Sequence, residues 1–226
     1  MQLAEKSIIS AGVEQGKMLP LMEEFYSIQG EGFNTGKAAY FIRVGGCDVG
    51  CHWCDVKESW DASLHPLTET DKIVANVLKY PARAVVVTGG EPAMYDLAYL
   101  TKQLKKNNIQ TFLETSGAYQ ITGDWNWICL SPKKNMPVLK ENFSKAHELK
   151  MIIHNKDDFR FAEASSALLP SPLGEACLPD RQGLGVRFLQ PEWSKRAEMI
   201  PLIVEYVQWH PQWRISLQSH KYIGIP

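Results

Sequence analysis

The sequence predicts a parallel α/β fold, an incomplete TIM-type barrel of about six βα units in a single domain. Three observations predict it. Short apolar runs alternate with helix-like stretches along the whole chain. Chemistry-bearing polar residues recur at the C-terminal end of one apolar run after another. The chain has 226 residues, slightly short of the roughly 250 of a complete eight-unit barrel. A doubly wound sheet is the alternative, because periodicity does not separate the two.

The elements follow in order. Ala39–Val44 (AYFIRV) reads as a strand. Residues 68–80 read as a helix, with Thr68 as cap and Asp71 three residues on. The β-branched run 84–87 is a strand, and 94–108 is a helix with Leu97, Leu100 and Leu104 on one face. Strands are expected at 109–114, 125–130 and 148–154. A helix over 155–169 is capped by Asn155, with Asp158 at the fourth position. Residues 185–190 form a strand. Residues 194–208 form a helix in which Pro201 predicts a kink or break. Residues 213–218 close the series. The Pro/Gly-rich patch 171–183 reads as a surface loop.

Composition narrows the function. Lys plus Arg is 24 and Asp plus Glu is 25, for a formal charge of -1. That balance excludes a strongly basic nucleic-acid binder and gives no polybasic membrane anchor. No apolar run is long enough for a membrane span. The first residues, MQLAEKSIIS, lack the basic-then-apolar pattern of a signal peptide. A cytoplasmic location is expected, where clustered cysteines ligate metal or carry redox chemistry more often than they form disulfides.

Three of the five cysteines, Cys47, Cys51 and Cys54, form C-x3-C-x2-C just after the strand 39–44. Structural zinc normally takes four ligands, and Cys129 and Cys177 do not form the missing pair. Cys129 falls in an expected buried strand. Three thiolates on a four-iron cluster leave one iron open to substrate or cofactor. Gly45, Gly46 and Gly50 permit a tight loop there. Further candidates end the later strands: Thr88, Gly90 and Glu91; Ser116; Ser131, Pro132 and Lys133; His154 and Asn155; and Gln190.

The cysteine spacing, with Trp53 before the last cysteine, resembles the radical S-adenosylmethionine (SAM) signature, and Thr88–Pro92 (TGGEP) resembles that superfamily's second motif. The segment 23–47, ETSG (114–117), SPK (131–133), LQP (189–191) and LQSHKYIGIP (217–226) are similar to the 7-carboxy-7-deazaguanine synthase family, the QueE-type enzymes of deazapurine biosynthesis. The resemblance implies a radical SAM domain over 1–226, with a substrate-binding segment at about 18–36 and a C-terminal tail at about 213–226. It implies a [4Fe-4S] cluster on Cys47, Cys51 and Cys54. SAM is implied near Trp53, Asp55, Gly90, Glu91, Ser116, Ser131, Pro132, Lys133 and Gln190. A pterin substrate is implied at Ile28, Gln29, Gly30, Glu31, Arg43, Thr88, His220 and Pro226, with Arg43 on its carboxylate. The implied reaction converts 6-carboxy-5,6,7,8-tetrahydropterin to 7-carboxy-7-deazaguanine with loss of ammonia. Mg2+ is implied as well, but Val56 stands where the family commonly carries a hydroxyl ligand, so the ion is placed near Asp55. A homodimer and a flavodoxin- or ferredoxin-type electron donor are further implications. The competing readings are another small radical SAM enzyme, such as a glycyl-radical activase, and a non-enzymatic zinc or iron–sulfur protein.

Overall fold

The computed structural model describes residues 11–169 and 185–226. The patch 171–183 with Cys177, and the first ten residues, lie outside the described residues. The rest divides into two compact units. One takes the chain up to Ser27, Ala38–Thr115 and Tyr119–Asn126; the other takes Ile28–Lys37, Ser116–Ala118 and Trp127–Pro226.

The first unit is built on five strands in the order β3-β1-β2-β4-β5. These are β1 (Met18–Ile28), β2 (Ala38–Val44), β3 (Leu67–Glu69), β4 (Ala84–Gly89) and β5 (Gln110–Thr115). β2, β4 and β5 run parallel, with Arg43 paired to Thr88 and Val86 to Phe112. Such strands are apolar on both faces, and Ile42, Val85, Val86 and Val87 are fully buried. The helices Thr70–Val77 and Ala98–Lys106 make the crossovers. Leu97, Leu100 and Leu104 are all buried, as their spacing predicts. Truncating Leu104 to Ala removes core packing worth about 2–5 kcal/mol.

Two expectations need correction here. Thr68 does not cap the helix over 68–80. It lies in β3, paired with Leu19 of antiparallel β1. The helix begins at Thr70, its cap position Glu69 makes no side-chain cap bond, and Thr70 Oγ1 instead donates to Gly16 O at 2.7 Å. Long-range strand pairing here overrides a local capping pattern. The long strand β1 lies where only the substrate-binding segment was expected.

The second unit holds β6 (Trp127–Leu130), β7 (Glu148–Ile153), β8 (Val186–Pro191) and β9 (Trp213–Ile215), each parallel to the next. Its core gathers Leu130, Leu149, Met151, Ile153, Leu189, Met199, Ile203 and Trp213. Cys129 is buried in β6. Helix Asp157–Ser166 begins later than expected, with Lys156 rather than Asn155 at the cap position and no side-chain cap bond from it. Asn155 Oδ1 accepts from Asp157 N at 2.9 Å, and Asp158 Oδ2 accepts from Asn155 N at 2.8 Å. Helix Arg196–Trp209 runs through Pro201 without a break. Trp213 is buried and donates to Glu163, whereas Trp209 is 78% exposed.

Candidate active site

The candidates that follow β2, β4, β5, β6, β7 and β8 lie at or just beyond the C-terminal ends of those strands, where α/β folds gather ligands. By contrast, Ile28 ends β1, which is antiparallel to β3, Gln29–Glu31 follow it, and His220 and Pro226 lie in the tail. In the first unit the chain leaves β2 at Val44 and enters the cysteine loop. Backbone bonds pin that loop on both sides. Gly45 N donates to Pro20 O at 2.8 Å, Gly46 N to Ser59 O at 2.6 Å and Cys47 N to Trp60 O at 3.0 Å. The loop after β4 docks on it, with Gly90 N donating to Val44 O at 2.9 Å and Glu91 N to Gly46 O at 2.8 Å. The approach is so close that a Cβ on Gly90 would lie 2.2 Å from Gly46 O. Glycine is therefore required at 90 by backbone crowding.

Glu91 is buried and committed to structure. Its Oε1 accepts from Ala93 N at 3.0 Å and from Thr115 Oγ1 at 2.5 Å. Tyr95 OH donates to Gly45 O at 2.7 Å, and Tyr119 OH donates to Asp48 within the cysteine loop. Trp53 is half-buried and Asp55 exposed. Val56 caps a short 3-10 turn, its carbonyl accepting from Ser59 N and Oγ.

Cys47, Cys51 and Cys54 are thiols, each partly exposed, and none of the four described cysteines is in a disulfide. Burial pushes the Cys47 thiol up, and the charges of Glu91, Cys51 and Cys54 push the same way. The other two sulfurs are thus close enough to Cys47 to oppose its ionisation. Holding all three as thiolates requires a strongly cationic centre between them. Among the described residues, no three His, Cys, Asp or Glu side chains are gathered around one ion position. Three thiols in one loop, none of them in a disulfide, are a donor set that fits an iron–sulfur cluster, in which each thiolate takes its own iron.

Arg43 and Thr88 face each other in register across β2 and β4. Arg43 Nε donates to Glu23 Oε1 at 2.6 Å, in a pair whose carboxylate is 46% exposed. One edge of the guanidinium is thereby fixed.

The second unit brings together the other substrate candidates. Gln29 and Gly30 are buried, and Ile28 is exposed. Gln29 Oε1 accepts from Glu31 N at 3.1 Å. Ser219 N and Oγ both donate to Gly30 O at 2.9 Å. His220 lies directly against Gly30, where an added Cβ would come within 2.2 Å of its Nδ1. The residues expected at positions 29–31 and at 220 are therefore neighbours. Pro226 is exposed at the end of the tail.

Glu31 is held at both oxygens. Lys150 Nζ donates to Oε2 at 2.7 Å and Gln218 Nε2 to Oε1 at 2.9 Å. Burial alone would raise its pKa, but the Lys150 charge and the bonds from Lys150, Gln218 and Gln190 hold the carboxyl down at about 2. Gln190 is buried and accepts from Ser216 Oγ at 2.7 Å. Gln190, expected beside SAM, thus sits on the same network as Glu31. Ser116 Oγ accepts from Ala118 N at 3.3 Å. Lys133 folds back, its Nζ donating to both Ser131 O and Ser131 Oγ at 2.6 Å. Pro132 is buried beside them. His154 and Asn155 donate their backbone N–H groups to Asp158, which fits a capping role.

Three residues of this network escaped the sequence reading: Lys150, Gln218 and Glu148. Glu148 is buried and accepts from Trp127 Nε1 at 2.9 Å and Phe33 N at 3.2 Å. A signal existed, since Glu148 and Lys150 are opposite charges two apart in an otherwise apolar buried strand.

Comparison with known proteins accords with this geometry. Residues 41–120 match the family model of the radical SAM superfamily. The chain is 58% identical over 218 residues to the 7-carboxy-7-deazaguanine synthase of Flavobacterium psychrophilum, covering 96% of this chain and 98% of the relative. It is 36% identical over 231 residues to the synthase of the same name from Escherichia coli, covering 91% and 98%. The crystal structure of QueE from Escherichia coli superposes with a TM-score of 0.78 at 32% identity, over 92% of this chain and 97% of that one. The class is that of radical SAM enzymes on an incomplete TIM-type barrel, as the sequence predicts. Within it, the chain belongs to the 7-carboxy-7-deazaguanine synthase family.

Proposed function

We propose that the chain converts 6-carboxy-5,6,7,8-tetrahydropterin to 7-carboxy-7-deazaguanine and ammonia, in 7-deazapurine (queuosine-type) biosynthesis. The observation that carries this reading is the half-buried, ion-paired Glu31 beside Gln29 and His220, in a chain that also holds the three-thiol loop of a radical SAM protein. Cys47, Cys51 and Cys54 would hold a [4Fe-4S] cluster, and Gly90, Ser116, Ser131 and Lys133 would line SAM. When bound, cluster and SAM together supply the radical that takes hydrogen from C6 of the pterin.

The rest is the work of this chain's own residues. Glu31, ionised well below neutral pH, accepts from the N–H and amino groups of the heterocycle. The Gln29 amide and the backbone at Ile28 and Gly30 frame the same ring. Arg43 pairs with the substrate carboxylate through its terminal nitrogens, and Thr88 adds a hydroxyl. Mg2+ would be held by Asp55, substrate and water, because Val56 offers no side-chain ligand. Family resemblance supports a cytoplasmic homodimer that takes its electron from a flavodoxin- or ferredoxin-type donor. Among the described residues, no helix is long and apolar enough to cross a membrane.

Anaerobic reconstitution with iron and sulfide, followed by SAM, reductant and the carboxypterin, tests the reading. A new 7-deazaguanine acid detected by mass is expected. Reductive SAM cleavage without that product would point to another radical SAM reaction. Bound zinc with no SAM cleavage would point to a scaffold.

A further inference from the structure

Lys150 is the buried charge that the reaction scheme leaves unused. It sits in β7 between Leu149 and Met151, paired with Phe188 of β8, and is 4% exposed. Apolar residues would fill such a position at no loss of stability, and often with a gain, because desolvating an ion pair offsets its attraction. Yet Lys150 reaches across 119 residues of sequence to Glu31 Oε2 at 2.7 Å. Two further contacts converge on the same carboxylate, from Gln218 of the tail and Gln190 of β8. Gln190 is itself steadied by Ser216, whose Oγ also accepts from Gly32 N at 2.9 Å. Both the orientation and the charge of Glu31 are thus set from outside its own loop.

We propose that Lys150 is a positioning residue for substrate recognition, holding Glu31 as an oriented, ionised acceptor for the N–H edge of the pterin. The proposal rests on the reading above, in which Glu31 meets the substrate. A carboxyl group that gained a proton would present a donor to ring donors and lose the match. The charged and titratable groups around the Glu31 loop are Lys150 and Glu148 from β7 and His220 from the tail; Gln190 and Gln218 are neutral. His220 is present in wild type and variant alike, so the difference between their pH profiles reports the loss of the Lys150 charge.

The test is equilibrium binding of 6-carboxytetrahydropterin to the reconstituted holoenzyme without SAM, anaerobically, from neutral to acid pH. Lys150→Met is expected to weaken binding by about 10- to 100-fold and to add a loss of affinity as pH falls. Lys150→Arg is expected to restore both affinity and profile. The double variant Glu31→Gln, Lys150→Met is expected to bind no worse than Glu31→Gln alone. If Lys150→Met does not fold, Lys150→Gln, which keeps a donor without the charge, takes its place. A charge-removing variant with lowered thermal stability but unchanged affinity and pH profile would make Lys150 a structural residue only. Additive losses in the double variant would overturn the proposal equally. Wild-type holoenzyme that fails to bind the pterin would instead overturn the reading of the site, and the proposal with it.

Discussion

The cysteine loop and the Glu31 loop are held by opposite means. Residues 45–47 are fixed almost wholly by backbone bonds, to Pro20, Ser59, Trp60 and the loop after β4. Residues 30–33 are fixed mainly by side chains from distant parts of the chain: Lys150, Glu148, Ser216, Gln218 and Ser219. The difference follows from what each loop presents. A cluster needs its thiols at set positions, and backbone bonds do this without placing rival ligands beside them. A loop that recognises a polar ring needs oriented, partly desolvated polar groups, which are costly unless every partner is supplied. The first loop should therefore fail when a side chain is added, and the second when a charge is removed.

Four outcomes sharpen that contrast. The largest effect is expected from Cys47→Ala, Cys51→Ala or Cys54→Ala, each abolishing turnover with loss of iron and of the paramagnetic resonance signal after reduction. Gly90→Ala comes next. Its Cβ would meet Gly46 O at 2.2 Å, so SAM cleavage should fall by about 100-fold and cluster retention should drop. Gly32→Ala is the counterpart in the other loop, with φ at +64° and a Cβ that would lie 2.0 Å from Glu148 Oε1. It should raise KM for the pterin while iron content and substrate-free SAM cleavage stay at wild-type levels; a loss of iron there would erase the contrast.

The smallest effect belongs to Glu23→Gln. Its pair with Arg43 is 46% exposed at the carboxylate, so thermal unfolding should shift by no more than about 1 kcal/mol.

The sign of the pH effect on stability follows from Glu31. Its pKa is lowered from 4.5 to about 2 on folding. The stabilisation is therefore full above the unfolded value and is lost as pH falls from about 4.5 towards 2. In Lys150→Met the folded-state value moves back up towards the unfolded one, so this acid loss should shrink, visible as a flatter dependence of stability on pH below about 4.5 in an acid unfolding titration.

Much of the fold was legible because parallel βα units carry their signal locally. The apolar runs became β2 and β4 to β9, and the leucines at 97, 100 and 104 faced the core. Thr68 was misread because its cap pattern is local, whereas its partner Leu19 in β1 is not. Pro201 stands in an unbroken helix, and Trp209 and Trp213 part company, one exposed and one in the core. The cysteines were legible because their spacing fits within one loop. Lys150 was not, since a lysine in a strand has no meaning until its partner is known.

By itself the sequence determined the succession of βα units and the cysteine loop, which rest on periods and spacings of a few residues, and its motifs carried the family resemblance. The tertiary structure alone decided that Gly90 lies against Gly46, that His220 lies against Gly30, and that Lys150 pairs with Glu31. The physical reason is distance along the chain. Burial and Coulomb attraction act through space, and only folding sets which distant residues share it.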